Sequence, residues 1–154
     1  EVLPYKNDDI INAHAMPGAH AALQAVQDAG LRCALFTNPS FPQGAIECRM
    51  GWGDLADAPF ELVTHMGNAT RCKPDATYYL EQLEVMGLEP HEVLMVGNDP
   101  KRDFPSPACG IQTAFVGQGK PSRATWRGTM EDFARDFNAV IEAFYEHQVA
   151  HELS

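Results

Sequence analysis

In Val93-Leu94-Met95-Val96-Gly97-Asn98-Asp99-Pro100-Lys101-Arg102-Asp103, an unbroken apolar run gives way to a glycine, an amide and two carboxylates. The apolar part has strand length and no alternation, which is the pattern of a strand buried on both faces. Polar groups that follow such a strand stand at its carboxyl end. In open α/β sheets that edge holds the ligand crevice. Carboxylates and amides placed there suit a hard cation such as Mg²⁺, which takes oxygen ligands and keeps several waters. Capping of a following helix by Asp99 or Asp103 is the competing role.

Two further phrases repeat the arrangement upstream. Leu35-Phe36-Thr37-Asn38 closes the apolar run of Arg32–Phe36 with a hydroxyl and an amide. The Thr37 hydroxyl and the next backbone N–H could each donate to a phosphate oxygen, or Thr37 could serve the loop before Pro39. Cys72-Lys73-Pro74-Asp75 presents an ammonium just before a helical stretch. Lys73 is a compact charge that can neutralise a phosphoryl oxygen, hold a carboxylate, or remain a solvated surface lysine. Each phrase alone is common. Their joint occurrence, in order and separated by helical segments, predicts one phosphate and metal site at one sheet edge.

The rest of the chain alternates in the same way. Pro17-Gly18 opens a helix with Ala22, Leu23 and Val26 apolar, and Gly30 closes it. A second helix starts at Phe41-Pro42 and ends at Gly53. Phe60–Thr64 reads as a strand, Pro74 to Met86 as a helix striped by Tyr78, Tyr79, Leu80 and Leu83, and Gln112–Val116 as another strand. Thr129 caps the last helix, with Phe133, Phe137, Val140, Ile141 and Phe144 on its buried face. The fold class is therefore α/β: a Rossmann-like parallel sheet with helices on both faces. Residues 17–154 form the core, and residues 1–16, without clear period, read as a return segment from a cap.

Bulk properties narrow the partners. The chain has 154 residues, 45% of them hydrophobic, in keeping with one globular domain. Eleven basic against 21 acidic residues give a net charge of −10. That argues against nucleic acid or an anionic membrane surface, both of which reward basic residues. No stretch reaches membrane-spanning length. Cys33, Cys48, Cys72 and Cys109 include no Cys-x-x-Cys pair and read as reduced, mostly buried thiols of a cytoplasmic protein. His147 and His151, four apart, lack a third ligand and read as cations favoured by a helix C-terminus. Trp52 and Trp126 read as packing residues.

The three phrases resemble motifs of the haloacid dehalogenase-like hydrolase superfamily, in particular its magnesium-dependent phosphatases. Leu35-Phe36-Thr37-Asn38 is similar to the second family motif, Cys72-Lys73-Pro74-Asp75 to the third, and Met95 through Asp103 to the fourth. The likeness spans about residues 17–130. It implies Thr37 and Lys73 as catalytic residues, Thr37, Asn38 and Lys73 as phosphate contacts, Asn98, Asp99 and Asp103 around Mg²⁺, and a small phosphorylated substrate. Asn98 stands where the family carries aspartate. Pro105 and Pro107 predict a short or distorted helix after Asp103.

The first family motif has no counterpart. It carries two aspartates one residue apart after a central strand, and no Asp-x-Asp follows an apolar run here; Asp8-Asp9 has the wrong spacing. The resemblance therefore implies an additional segment, from a preceding stretch or a second chain, that supplies the nucleophile and the strand between those ending at Thr37 and Val96. The 154-residue chain alone is expected to be inactive. A non-catalytic module that binds a phosphate ligand or a partner is the alternative. A dehalogenase is a weaker third reading, because the acidic pair favours metal.

Overall fold

The computed structural model describes residues 16–119 and 123–154. The expected cap-return segment, apart from Met16, lies outside the described residues.

Two parallel ladders carry the fold. The first pairs β1 (Ala34–Leu35) with β2 (Leu62–Val63). The second runs β3 (Leu94–Gly97), β4 (Gln112–Val116) and β5 (Trp126–Gly128), all parallel. Among the described residues β1 and β3 share no ladder, so the sheet is split where the resemblance expects an intervening strand. β1 and β2 are shorter than their apolar runs. Their pairing continues only through single bonds at either end, from Glu61 N–H to the Cys33 carbonyl (2.9 Å) and from Thr64 N–H to the Leu35 carbonyl (3.0 Å).

β3 explains why its sequence is apolar throughout. Leu94 and Val96 pack on a cluster with Ala22, Ala114, Val116, Phe133, Phe137 and Val140. Val93 and Met95 pack on the opposite cluster with Tyr78, Tyr79, Leu83 and Ile111. Side chains alternate across a strand, so both faces are covered. One face carries α1 (Ala19–Asp28) with α4 (Met130–Arg135) and α5 (Phe137–Glu152); the other carries α3 (Ala76–Met86). α2 (Gln43–Trp52) follows the loop after β1. Gly18, at φ 86°, lets α1 begin against α4: a Cβ there would lie 2.6 Å from the Glu131 nitrogen.

Several boundaries differ from the sequence reading, each for a local reason. α3 starts at Ala76 rather than Pro74, because the Asp75 side chain accepts the Thr77 N–H (2.8 Å) and so caps the helix. The single last helix is two helices, broken at Asp136, whose N–H closes onto the Asp132 carbonyl (2.8 Å). The proline-rich stretch after Asp103 forms only a 3₁₀ turn, Pro107–Cys109, as its prolines require. Trp126 packs edge-on against Phe133, with ring centroids 5.5 Å apart. The cysteines are free, but Cys72 is exposed and the other three are half-buried, so they are less enclosed than expected. Burial pushes the Cys33 and Cys109 thiols up, away from thiolate chemistry. No helix among the described residues is long and apolar enough to cross a membrane.

α4 opens with a capping box: Asp132 N–H donates to Thr129 Oγ1 and Thr129 N–H to Asp132 Oδ2, both 3.0 Å. The Thr129 N–H donated to the carboxylate first, then the Thr129 side chain and Arg135, hold the Asp132 carboxyl below its ordinary range. A depressed carboxyl stabilises the fold above the unfolded-state pKa of about 4, and that contribution disappears as pH falls through the folded value. Asp132→Asn should therefore lower the melting temperature at pH 7. The gap to the unmodified chain should close on acidification below about pH 4 in thermal melts across that range; a gap independent of pH would contradict the assignment.

Candidate functional site

Three polar phrases from separate parts of the chain line one cavity of about 560 Å³ at the carboxyl ends of β1 and β3. Thr37, Asn38, Lys73, Asn98, Asp99 and Asp103 all border it. The structure thus brings together every site residue read from the sequence.

Gly97 and Asp103 organise the loop after β3. The loop turns back so that Asp103 Oδ2 accepts the backbone N–H of Asn98 (3.0 Å) and of Asp99 (2.9 Å). The turn brings Asp103 so close to Gly97 that a Cβ there would lie 2.5 Å from Asp103 Cβ and 2.8 Å from Oδ2. Only glycine leaves that space. The other carboxylate oxygen, Oδ1, receives Lys73 Nζ at 2.5 Å. Both side chains are nearly enclosed, at 10% and 12% exposure, so this pair is screened far less than a surface ion pair.

Lys73 is fixed at both ends. Its backbone N–H donates to Asn38 Oδ1 (2.9 Å), in the loop after β1, while its ammonium reaches the loop after β3. Two tyrosines of α3 repeat that division of labour. The Tyr78 hydroxyl donates to the Thr37 carbonyl (2.6 Å), and the Tyr79 hydroxyl donates to the Asp103 carbonyl. Both rings are fully buried, and burial pushes both phenols above the usual tyrosine range, so they stay protonated donors.

Thr37 is oriented by Thr64. Thr37 N–H donates to Thr64 Oγ1 (2.6 Å), and the Thr37 hydroxyl donates to the Thr64 carbonyl (2.9 Å). The Thr37 proton is thus engaged with β2's end rather than with the cavity. The Asn38 backbone N–H makes no hydrogen bond to the described residues, and Asn38 borders the cavity.

The oxygen donors are unequally occupied. Both Asp103 oxygens already accept hydrogen bonds, which makes Asp103 the organiser of the loop. Asp99 is half-exposed; its Oδ1 accepts the Lys101 N–H (3.1 Å), and its Oδ2 lies 3.6 Å from Arg102 Nε. Asn98 is exposed beside it. Hard oxygen atoms from Asp99 and Asn98 fit a cation that retains waters. Among the described residues no three His, Cys, Asp or Glu side chains form a group that could hold a metal. The described residues here offer two oxygen-bearing side chains, Asn98 and Asp99, beside the cavity.

Sequence reading missed five residues that shape the site: Thr64, Tyr78, Tyr79, Arg49 and Arg102. Arg102 lies inside the quoted phrase and could have been noticed there. The others carry no local signal, since a buried Thr, a helical Tyr and a helical Arg are ordinary residues. His147 is exposed on α5; the side chain of His151 lies outside the described residues.

Comparisons with known proteins agree with one another. A model of a family described as haloacid dehalogenase-like hydrolase matches residues 3–110. Phosphoglycolate phosphatase of Rhodospirillum rubrum is 30% identical over 115 residues, which cover 75% of this chain and 46% of that protein. The chain thus spans about half the length of that curated relative. Among solved structures, β-phosphoglucomutase of Clostridium difficile superposes with a TM-score of 0.70 at 16% identity, over 96% of this chain and 63% of that one. A putative β-phosphoglucomutase of Thermotoga maritima gives 0.69 at 22% identity, over 82% and 61%. At these identities the structures establish the shared α/β fold.

Gly97→Ala tests the loop. Asp103 is held by three donors and cannot step aside, so the added methyl should cost about 1–3 kcal/mol in denaturant unfolding. A variant as stable as the unmodified chain would show that the Gly97–Asp103 approach is not required.

Proposed function

This chain belongs to the haloacid dehalogenase-like hydrolase family, and we propose that it provides the phosphate- and metal-binding part of a Mg²⁺-dependent phosphatase acting on a small phosphorylated metabolite. One observation supports this above the others: Thr37, Lys73 and Asp99 border a single cavity at the carboxyl edge of the strands. Converging donors and oxygen ligands at that edge suit phosphoryl transfer, whose catalysis is mostly positioning and electrostatics.

The geometry supports a role for each residue. Lys73 has three ammonium protons, and Asp103 takes one direction, leaving donors for phosphoryl oxygens. Asn38 N–H is a second donor. The Thr37 hydroxyl becomes a third by turning from the Thr64 carbonyl to the ligand, with the Thr64 hydroxyl still holding its backbone. Asp99 and Asn98 are the residues that would hold Mg²⁺, and Asp103 fixes their backbone through two N–H bonds. Bound there, the ion would offset negative charge on the phosphoryl group.

The nucleophile is assigned outside these residues. No Asp-x-Asp occurs in the chain, and β1 and β3, which flank the cavity, share no ladder. A strand set between them would complete both ladders and deliver carboxylates to the cavity. Its backbone would pair donors and acceptors that otherwise cost roughly 1–3 kcal/mol each when buried unpaired. An aspartate on it would attack phosphorus, a second would protonate the leaving oxygen, and water would then cleave the aspartyl-phosphate. A preceding segment or a second chain could supply that strand. A binding module that never receives a nucleophile is the second reading, favoured by the same missing Asp-x-Asp. The coding sequence upstream of Glu1 separates the two: an apolar run ending in Asp-x-Asp supports the enzyme.

For the 154-residue chain the expected outcome is no turnover of a generic aryl phosphate, together with binding of inorganic phosphate that strengthens with Mg²⁺. Calorimetric titration should show Lys73→Ala weakening phosphate at least about tenfold. Phosphate binding indifferent to both Mg²⁺ and Lys73 would overturn the site. Turnover by the purified chain would overturn the placement of the nucleophile.

A further inference from the structure

The cavity holds more positive charge than its phosphate contacts explain. Three cations border it, on a chain whose net charge is −10: Lys73, Arg49 and Arg102. Two are paired with carboxylates. Lys73 meets Asp103 at 2.5 Å, and Arg102 lies 3.6 Å from Asp99. Arg49 makes no ion pair with the described residues, and its guanidinium carbon sits 5.3 Å from the centre of the Phe41 ring.

Arg49 is not placed at random on α2. Ile46, Arg49 and Met50 follow the i, i+3, i+4 spacing that puts residues on one helix face, and all three border the cavity. Ile46 is buried at 3% exposure and anchors that face, while Arg49 and Phe41 are exposed at the cavity's rim. Phe41 and Leu55 border the same cavity, so this wall is a short apolar surface that carries one unpaired guanidinium. Stacking on an aromatic ring holds a guanidinium in place while leaving its in-plane N–H donors free. Such a planar fork matches a carboxylate or a phosphate in two-point contact. Its position in the last turn of α2, where the helix dipole favours a cation, is the ordinary explanation that a test must exclude.

We propose that Arg49 is a specificity residue: it selects phosphorylated substrates bearing a second anionic group, a carboxylate or a further phosphate, joined to the first by a short spacer. This rests on the phosphate reading of the same cavity and adds the substrate class to it. The phosphoryl group takes the Lys73 end, and the second anion takes the Arg49 end. The apolar wall between them receives the spacer. A phosphomonoester without a second anion leaves the guanidinium unpaired.

Non-hydrolysable probes test this on the 154-residue chain at fixed free Mg²⁺. Ethylphosphonate carries one anion, phosphonoacetate adds a carboxylate, and methylenediphosphonate adds a second phosphonate. Calorimetry should show at least one dianionic probe binding about tenfold tighter than ethylphosphonate. Which of the two is preferred identifies the second group. In Arg49→Gln that ratio should fall to near one, and Arg49→Lys should restore part of it. Circular dichroism melts of both variants report the helix-terminus role separately. A ratio near one in the unmodified chain, or a ratio that survives Arg49→Gln, overturns the proposal while leaving the phosphate site standing. Equal weakening of all three probes by Arg49→Gln overturns it as well, since that marks a general effect on the cavity. Failure of every probe and of inorganic phosphate removes the phosphate reading and the proposal together.

Discussion

The Lys73–Asp103 pair is the contact on which the site depends, because it joins two halves that no strand ladder among the described residues joins. One ladder ends at Leu35, two residues before Thr37, and the other at Gly97, and among the described residues no backbone pairing crosses between them. The segment from Lys73 to Tyr79 does the joining instead. Lys73 N–H and the Tyr78 hydroxyl hold the β1 side; Lys73 Nζ and the Tyr79 hydroxyl hold the β3 side. Phe36 packs on the two tyrosine rings, and Met95, from the other half, packs on the cluster that contains them. The polar groups that would meet a phosphate are therefore positioned by the same bonds that hold the halves in register.

That arrangement has a functional meaning. An ammonium that is nearly enclosed needs a carboxylate, and Asp103 supplies it. The carboxylate also receives two backbone N–H groups from Asn98 and Asp99, so the lysine and the loop bearing the oxygen donors are set by one side chain. Family membership agrees with this geometry, and the matched relatives share the α/β fold around it. The split between the ladders and the missing Asp-x-Asp are then two faces of one proposal, a strand and a nucleophile that arrive together.

Much of this was legible in the letters. A fully apolar Val93–Val96 could only be a strand covered on both faces, and the two clusters found on either side of Met95 and Val96 bear that out. The convergence of three phrases followed from their common position after strands or before a helix. What the letters withheld was anything decided across the fold. The Thr37 hydroxyl looked free but bonds Thr64, 27 residues away. Lys73 and Asp103 looked like separate phosphate and metal residues but neutralise each other. Arg49 reads as an ordinary helix-end cation until α2 is seen to wall the cavity. Strand lengths were overestimated because pairing depends on the neighbour as well as on the apolar run. The break at Asp136 was missed because apolar spacing continues through it.

A double-mutant cycle on Lys73 and Asp103 measures the central contact most directly. Lys73→Met, Asp103→Asn and the double variant would be unfolded in denaturant beside the unmodified chain. If the ammonium and carboxylate meet inside the protein as described, the two losses will be non-additive, with a coupling of about 0.5–3 kcal/mol. Losses that add to within about 0.3 kcal/mol would place the two side chains in separate surroundings and contradict the account.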